Sequence, residues 1–122
     1  MNWIKESFAK SKKIRNHFKL HAIDIFIKDP LPDNIDPDFV FKYVSKQIPS
    51  SLLRGVDIVY IGQFDVFREK KVNAIFEDGA IYITNQQSSN QDFVDDIIHE
   101  IAHATEEMHT ELIYEDQLLK RE

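Results

Sequence analysis

The chain predicts a single α+β domain: a small, mainly antiparallel sheet of about four strands with one amphipathic helix packed on a face. Two kinds of observation carry that prediction. The apolar runs, such as DIVYIG and AIYIT, are of strand length and bounded by turn residues. Residues 92–108, by contrast, repeat their apolar positions at the helical period. A chain of 122 residues, 43% hydrophobic and 30% charged, has the composition of an ordinary globular protein with one core.

Taken in order, residues 1–19 read as a basic N-terminal helix, with the pairs Ile4/Phe8 and Ile14/Phe18 facing the body. LHAIDIFI (20–27) has strand composition. KDPLPDNIDPD (28–38) is a loop, because Pro30, Pro32 and Pro37 interrupt both helix and sheet. Asp36 before Pro37 is an N-cap signature, and Phe39, Val40, Tyr43 and Val44 recur at helical spacing over 37–48. Residues 56–61 form a second strand, followed by a loop through Gly62 and Phe64. Two short strands, 72–77 and 80–84, flank Asp78-Gly79, a dipeptide suited to the positive φ angles of a two-residue hairpin. Ser89 and Asp92 stand in capping-box spacing at the head of a helix over 90–108.

With no cysteine, any metal must be held by His, Asp or Glu. The same composition suits a reducing compartment, and the N-terminus has no continuous apolar segment, so a cytoplasmic protein with no membrane span is expected. The net charge of −6 is unevenly spread: residues 1–19 carry six basic side chains against Glu6, whereas 92–122 carry ten acidic ones against Lys120 and Arg121. A basic arm this short is a weak sign of nucleic-acid binding, and a packed or solvated helix explains it better.

The chemistry concentrates in DDIIHEIAHATEE, residues 95–107. With Val94 at zero on a wheel of about 100° per residue, Val94, Ile97, Ile98, Ile101, Thr105 and Met108 form the core stripe. His99, Glu100 and His103 fall on the opposite, polar side, the two histidines about 40° apart. Imidazoles at i and i+4 can meet one Zn²⁺ from the same side, and the helix fixes their separation in advance. Glu100 leans to one flank, where it can serve as general base toward a zinc-activated water. The plainer reading is an acidic, solvated helix face; the placement on one face of a strongly patterned helix, just after a hairpin, favours the metal site.

HEIAH on a helix that follows an antiparallel strand resembles the zincin metallopeptidases, with some similarity also to small metallopeptidases of bacteriophages. The resemblance covers the second half of the chain. It implies a zinc-dependent hydrolase of peptide bonds, with His99 and His103 as ligands, Glu100 as base, and the strand before the active helix as the sheet edge that pairs with extended substrates. By that analogy AIYIT (80–84) is the substrate-binding edge; as an ordinary strand of the sheet it is equally well explained.

The third zinc ligand is open. Glu122 follows His103 after eighteen intervening residues, the spacing of many gluzincins, and would need a turn between His109 and Asp116 followed by a second helix. Glu106, about 20° from His99 on the wheel, and Glu115 are the next candidates. His109 matches a metzincin position, but Glu106 replaces the glycine that breaks the helix there. Asp95 and Asp96 could hydrogen-bond an imidazole or merely favour the helix N-terminus, and Tyr114 could steady an oxyanion or simply be buried. The competing function is a catalytically inactive binding or regulatory protein on the same scaffold.

Overall fold

The computed structural model describes the backbone of residues 16–121 and the side chains of 16–109. The expected N-terminal helix falls for its first 15 residues outside the described part. Residues 17–19 belong instead to a strand.

The strands are β1 (His17–Leu20), β2 (Ile23–Ile27), β3 (Ile58–Gly62), β4 (Ala74–Glu77) and β5 (Ala80–Thr84). The helices are α1 (Pro37–Gln47), α2 (Asp65–Lys70) and α3 (Asn90–Arg121), with a 3₁₀ turn over Ser50–Leu53. The five strands form one sheet in the order β1-β2-β3-β5-β4. β1 and β4 run antiparallel to their neighbours, while β2, β3 and β5 are mutually parallel. The sheet is therefore mixed and one strand larger than expected. Parallel neighbours need long connections, and α1 supplies the one between β2 and β3.

The extra strand arises because the expected strand 20–27 is a hairpin. His21 takes a left-handed φ of 55° and, with Ala22, turns the chain between Leu20 and Ile23. Its imidazole Nε2 stands 2.7 Å from the Ile48 carbonyl oxygen, which ties the turn to the end of α1. The fold thus sends Phe18, Leu20 and Ile25 to the same core.

Helix α1 begins as expected, with the Asp36 carboxylate accepting from the Phe39 amide at 3.2 Å and Pro37 in the first turn. Its buried residues are Val40, Phe41 and Val44, whereas Phe39 and Tyr43 are exposed and stack on each other. The apolar stripe is thus rotated from the expected one toward Phe41. The loop between Gly62 and β4 contains the short helix α2, closed by Lys71 in the left-handed conformation. At Asp78-Gly79 both φ angles are positive, 51° and 82°, as a primed hairpin turn demands.

Helices α1 and α3 cover one face of the sheet. Val59, Ile61, Ile81 and Ile83 point into that core against Phe93, Val94 and Ile97 of α3. Phe93 is fully buried and meets Phe41 edge-to-face at 5.6 Å. On the opposite face one register row carries His17, Phe26, Tyr60 and Tyr82, stacked at 4.9, 6.3 and 5.4 Å between neighbouring rings. Among the described residues no helix is long and apolar enough to cross a membrane.

Because Phe93 joins α1, α3 and the sheet, Phe93→Ala should lower unfolding free energy by about 3–5 kcal/mol. Urea titration followed by far-ultraviolet circular dichroism measures this; a loss below about 1 kcal/mol would mean that the three layers do not share one core.

Candidate metal centre and groove

Helix α3 starts where Ser89 Oγ accepts from the Asp92 amide at 3.1 Å, one half of the expected capping box. The proline-rich loop is strapped to this end: Asn34 donates to the Ser88 carbonyl at 2.9 Å and the Asp36 amide donates to Asn90 Oδ1 at 2.8 Å. The start of the helix is thereby located relative to α1 before any site residue is reached.

From there the buried line of α3 runs through Phe93, Val94, Ile97, Ile101 and Ala104. Ile98, Thr105 and Met108, expected in the stripe, are only half-buried. The helix is thus rotated toward Phe93 relative to the expected phase, and Glu100 is carried from the polar side to the core boundary, where it is 4% exposed. On the wheel Glu100 lies about 20° from Phe93 and 40° from Ala104. The expectation that it stands on the solvated face is corrected by this rotation.

Burial has an electrostatic consequence. Glu100 Oε2 is enclosed and has no hydrogen-bond partner among the described residues. Loss of solvent raises the carboxyl pKa above its ordinary value; nearby His103 and His99 pull it back, and Asp96 adds to the rise. A carboxylate held in this way is a better proton acceptor than a solvated one.

His99 and His103 remain exposed, and their Nε2 atoms stand 3.0 Å apart with the rings at 89°. Two nitrogens each about 2.0–2.1 Å from one tetrahedral zinc would be about 3.3 Å apart. The pair therefore fits zinc with a small opening of the imidazoles. Among the described residues, however, no group of three or more His, Cys, Asp or Glu side chains is gathered as a metal would need.

The candidates for the third position are distributed as follows. Glu106 is exposed and lines the same groove as His103. His109 is exposed, farther along the helix. The expected turn between His109 and Asp116 does not form, because α3 continues unbroken to Arg121. At about 1.5 Å per residue that puts Arg121 about 27 Å beyond His103 along the axis. Glu115, Asp116 and Tyr114 contribute only backbone to the described structure, and Glu122 lies outside it.

The groove itself was not apparent from the sequence. It has a volume of about 590 Å³, with Ala74, Ile75 and Phe76 of β4 on one wall and Glu100, His103, Glu106 and Glu107 of α3 on the other. The edge of the sheet is thus β4, whereas AIYIT is strand β5, hydrogen-bonded on both sides by β3 and β4. Its assignment as the free edge is overturned by this pairing. The Asn73 carbonyl accepts from Thr84, so the hydrogen-bonded pairs continue at Ile75–Tyr82 and Glu77–Ala80. The backbone N–H and C=O groups of Ala74 and Phe76 consequently face outward. The signal for this was in the hairpin, since the first strand of a terminal hairpin is left with one open side.

Behind the histidines, buried Gln87 donates from Nε2 to the Thr84 carbonyl at 2.9 Å and to Asp96 Oδ2 at 3.0 Å. This holds Asp96, one turn before His99, toward the end of β5. Asp95 instead accepts from Gln91 at 2.9 Å. Neither aspartate has an imidazole as its hydrogen-bond partner in these contacts.

Against known proteins, the chain matches no family model, no curated protein and no solved structure.

Glu100 imposes a stability cost wherever it is ionised. Its raised pKa means that folding opposes the charged form, so the penalty is present above the folded-state pKa and disappears as pH falls below the unfolded-state value. Glu100→Met should therefore stabilise the metal-free chain at neutral pH by about 1–3 kcal/mol, with the gain shrinking in acid. Urea unfolding of both proteins at neutral and acidic pH measures the difference; a destabilised variant would contradict the buried, unpartnered placement.

Proposed function

We propose that the protein is a zinc-dependent metallopeptidase, with His99 and His103 holding the metal and Glu100 acting as general base. The observation that carries this reading is the conjunction at one groove of converging imidazole nitrogens and a buried carboxylate lacking a partner. An isolated solvated helix face would have no reason to enclose the one acid that lies between the two histidines. Burying an ionisable group without a partner costs free energy, and such costs concentrate where a site uses the group.

Zinc, when bound, supplies Lewis acidity that acidifies water and polarises a carbonyl. The chain's own residues do the rest. Glu100 accepts a proton from the attacking water and delivers it to the departing amine, so that its starting state is restored. The outward amides and carbonyls of Ala74 and Phe76 pair with an extended peptide, aligning it along the groove past His103. The third donor in this proposal is a downstream carboxylate: Glu106, already on the groove wall, or Glu122 as the spacing analogy has it. The proposal includes a single catalytic domain acting in the cytoplasm on peptide or protein substrates, with no nucleic acid involved.

A second reading is favoured by one observation, the lack of a third donor gathered with the histidines among the described residues. In it the chain keeps the groove as a binding surface and has lost turnover.

Elemental analysis of protein prepared without a metal-affinity tag decides between them, together with a peptide-cleavage assay. The parent should carry about one zinc per chain and His103→Ala almost none. Glu100→Gln should keep the zinc and lose cleavage by at least about a hundredfold. Parent protein that binds no zinc after metal is supplied would remove the hydrolase reading.

A further inference from the structure

The groove combines an apolar wall with an acidic one, and the acid is not balanced by any cation in its lining. Beyond Glu100 and His103 the α3 wall continues with Glu106 and Glu107. No Lys or Arg occurs between Asn90 and Leu119. Glu107 is exposed, one turn beyond His103, and lies within about 20° of Glu100 on the helix. It therefore stands on the same side of the histidines as the buried base, about 10 Å farther along the axis. The unpartnered Oε2 of Glu100, enclosed at the other end of this line, independently marks the groove as one built to receive a polar ligand.

An extended peptide paired with β4 advances about 3.4 Å per residue, so about three residues span the distance from Glu100 to Glu107. Its side chains alternate, and those directed at α3 meet carboxylates near Glu107. A lysine or arginine there would lay its aliphatic stem along Phe76 or Ile75 and place its charge at the acids.

We infer that Glu107 forms a cation-accepting subsite that selects peptides carrying Lys or Arg a few residues from the position of Glu100. The inference rests on the peptide-groove reading above and adds the class of peptide it takes.

The test uses the full-length chain with Glu100→Gln, so that turnover does not consume the probe, and fluorescein-labelled octapeptides differing only in a central Lys, Gln or Glu. Fluorescence anisotropy at low ionic strength should rank them Lys, Gln, Glu in falling affinity. Adding Glu107→Gln should reduce the Lys-over-Gln preference by about three- to fivefold, the range of an exposed ion pair, and Glu107→Lys should invert the order. The control Glu69→Gln, which removes one exposed charge from α2, should leave it unchanged. Equal affinities, absence of binding, or an equal effect of Glu69→Gln would overturn the inference, the last by assigning the selectivity to the overall charge of −6. Cleavage of the same peptides by the unsubstituted chain is scored separately. Selective binding without cleavage sinks the hydrolase reading alone, and cleavage indifferent to the central residue sinks the subsite alone.

Discussion

The seating of α3 on the sheet through Phe93, Ile97 and Ala104 governs everything at the candidate site. A helix has one angular degree of freedom against a sheet, and here it is fixed by a fully buried phenylalanine wedged against Phe41 of α1. Once Phe93 is inward, the periodicity of the helix places Glu100 at the core boundary and leaves both histidines in solvent. Gly55 contributes to the same constraint: a Cβ there would stand 3.2 Å from the Ala104 carbonyl oxygen, so the 3₁₀ segment approaches the helix closely enough to limit its rotation. The groove is the space left between this fixed helix and the last strand.

That geometry separates two demands on neighbouring residues. The imidazoles need access to an ion and its exchangeable water, whereas a base gains from being partly withdrawn from solvent. Successive positions on a helix point about 100° apart, so His99 and Glu100 experience different surroundings although adjacent in sequence. The free-energy cost of enclosing Glu100 is carried by the apolar packing on either side of it, from Ile97 to Ala104.

The elements readable from the sequence are those whose instructions are local. Asp36-Pro37 announces the start of α1, Asp78-Gly79 announces a hairpin, and Ser89 announces α3; each acts within three residues of itself. The β1–β2 turn was not legible because His21-Ala22 has none of the usual turn residues, and its left-handed histidine is tied to Ile48, distant in sequence. Parallel pairing of β2, β3 and β5 was equally hidden, since nothing in an apolar strand identifies a neighbour many residues away. At the site, the HEIAH spacing displayed the paired histidines, yet the burial of Glu100 depended on whether Val94 or Phe93 led the core stripe. An apolar arc broad enough to admit both leaves that phase to the packing of α1.

The two-residue turn at Asp78-Gly79 reaches further than the shape of one hairpin. It sets the parity of β4: Asn73, Ile75 and Glu77 are committed to β5, and the odd and even positions cannot exchange roles without turning every side chain over. A chain added along the open side would inherit this parity, being gripped at every second residue and in one phase only. The hairpin therefore acts as a ruler with two-residue divisions, and the zero mark of that ruler is fixed by a glycine with no room for a Cβ beside Asp57. An insertion of one residue in β4 would leave the wall standing but move its marks by half a division, changing which side chains of a guest face the helix.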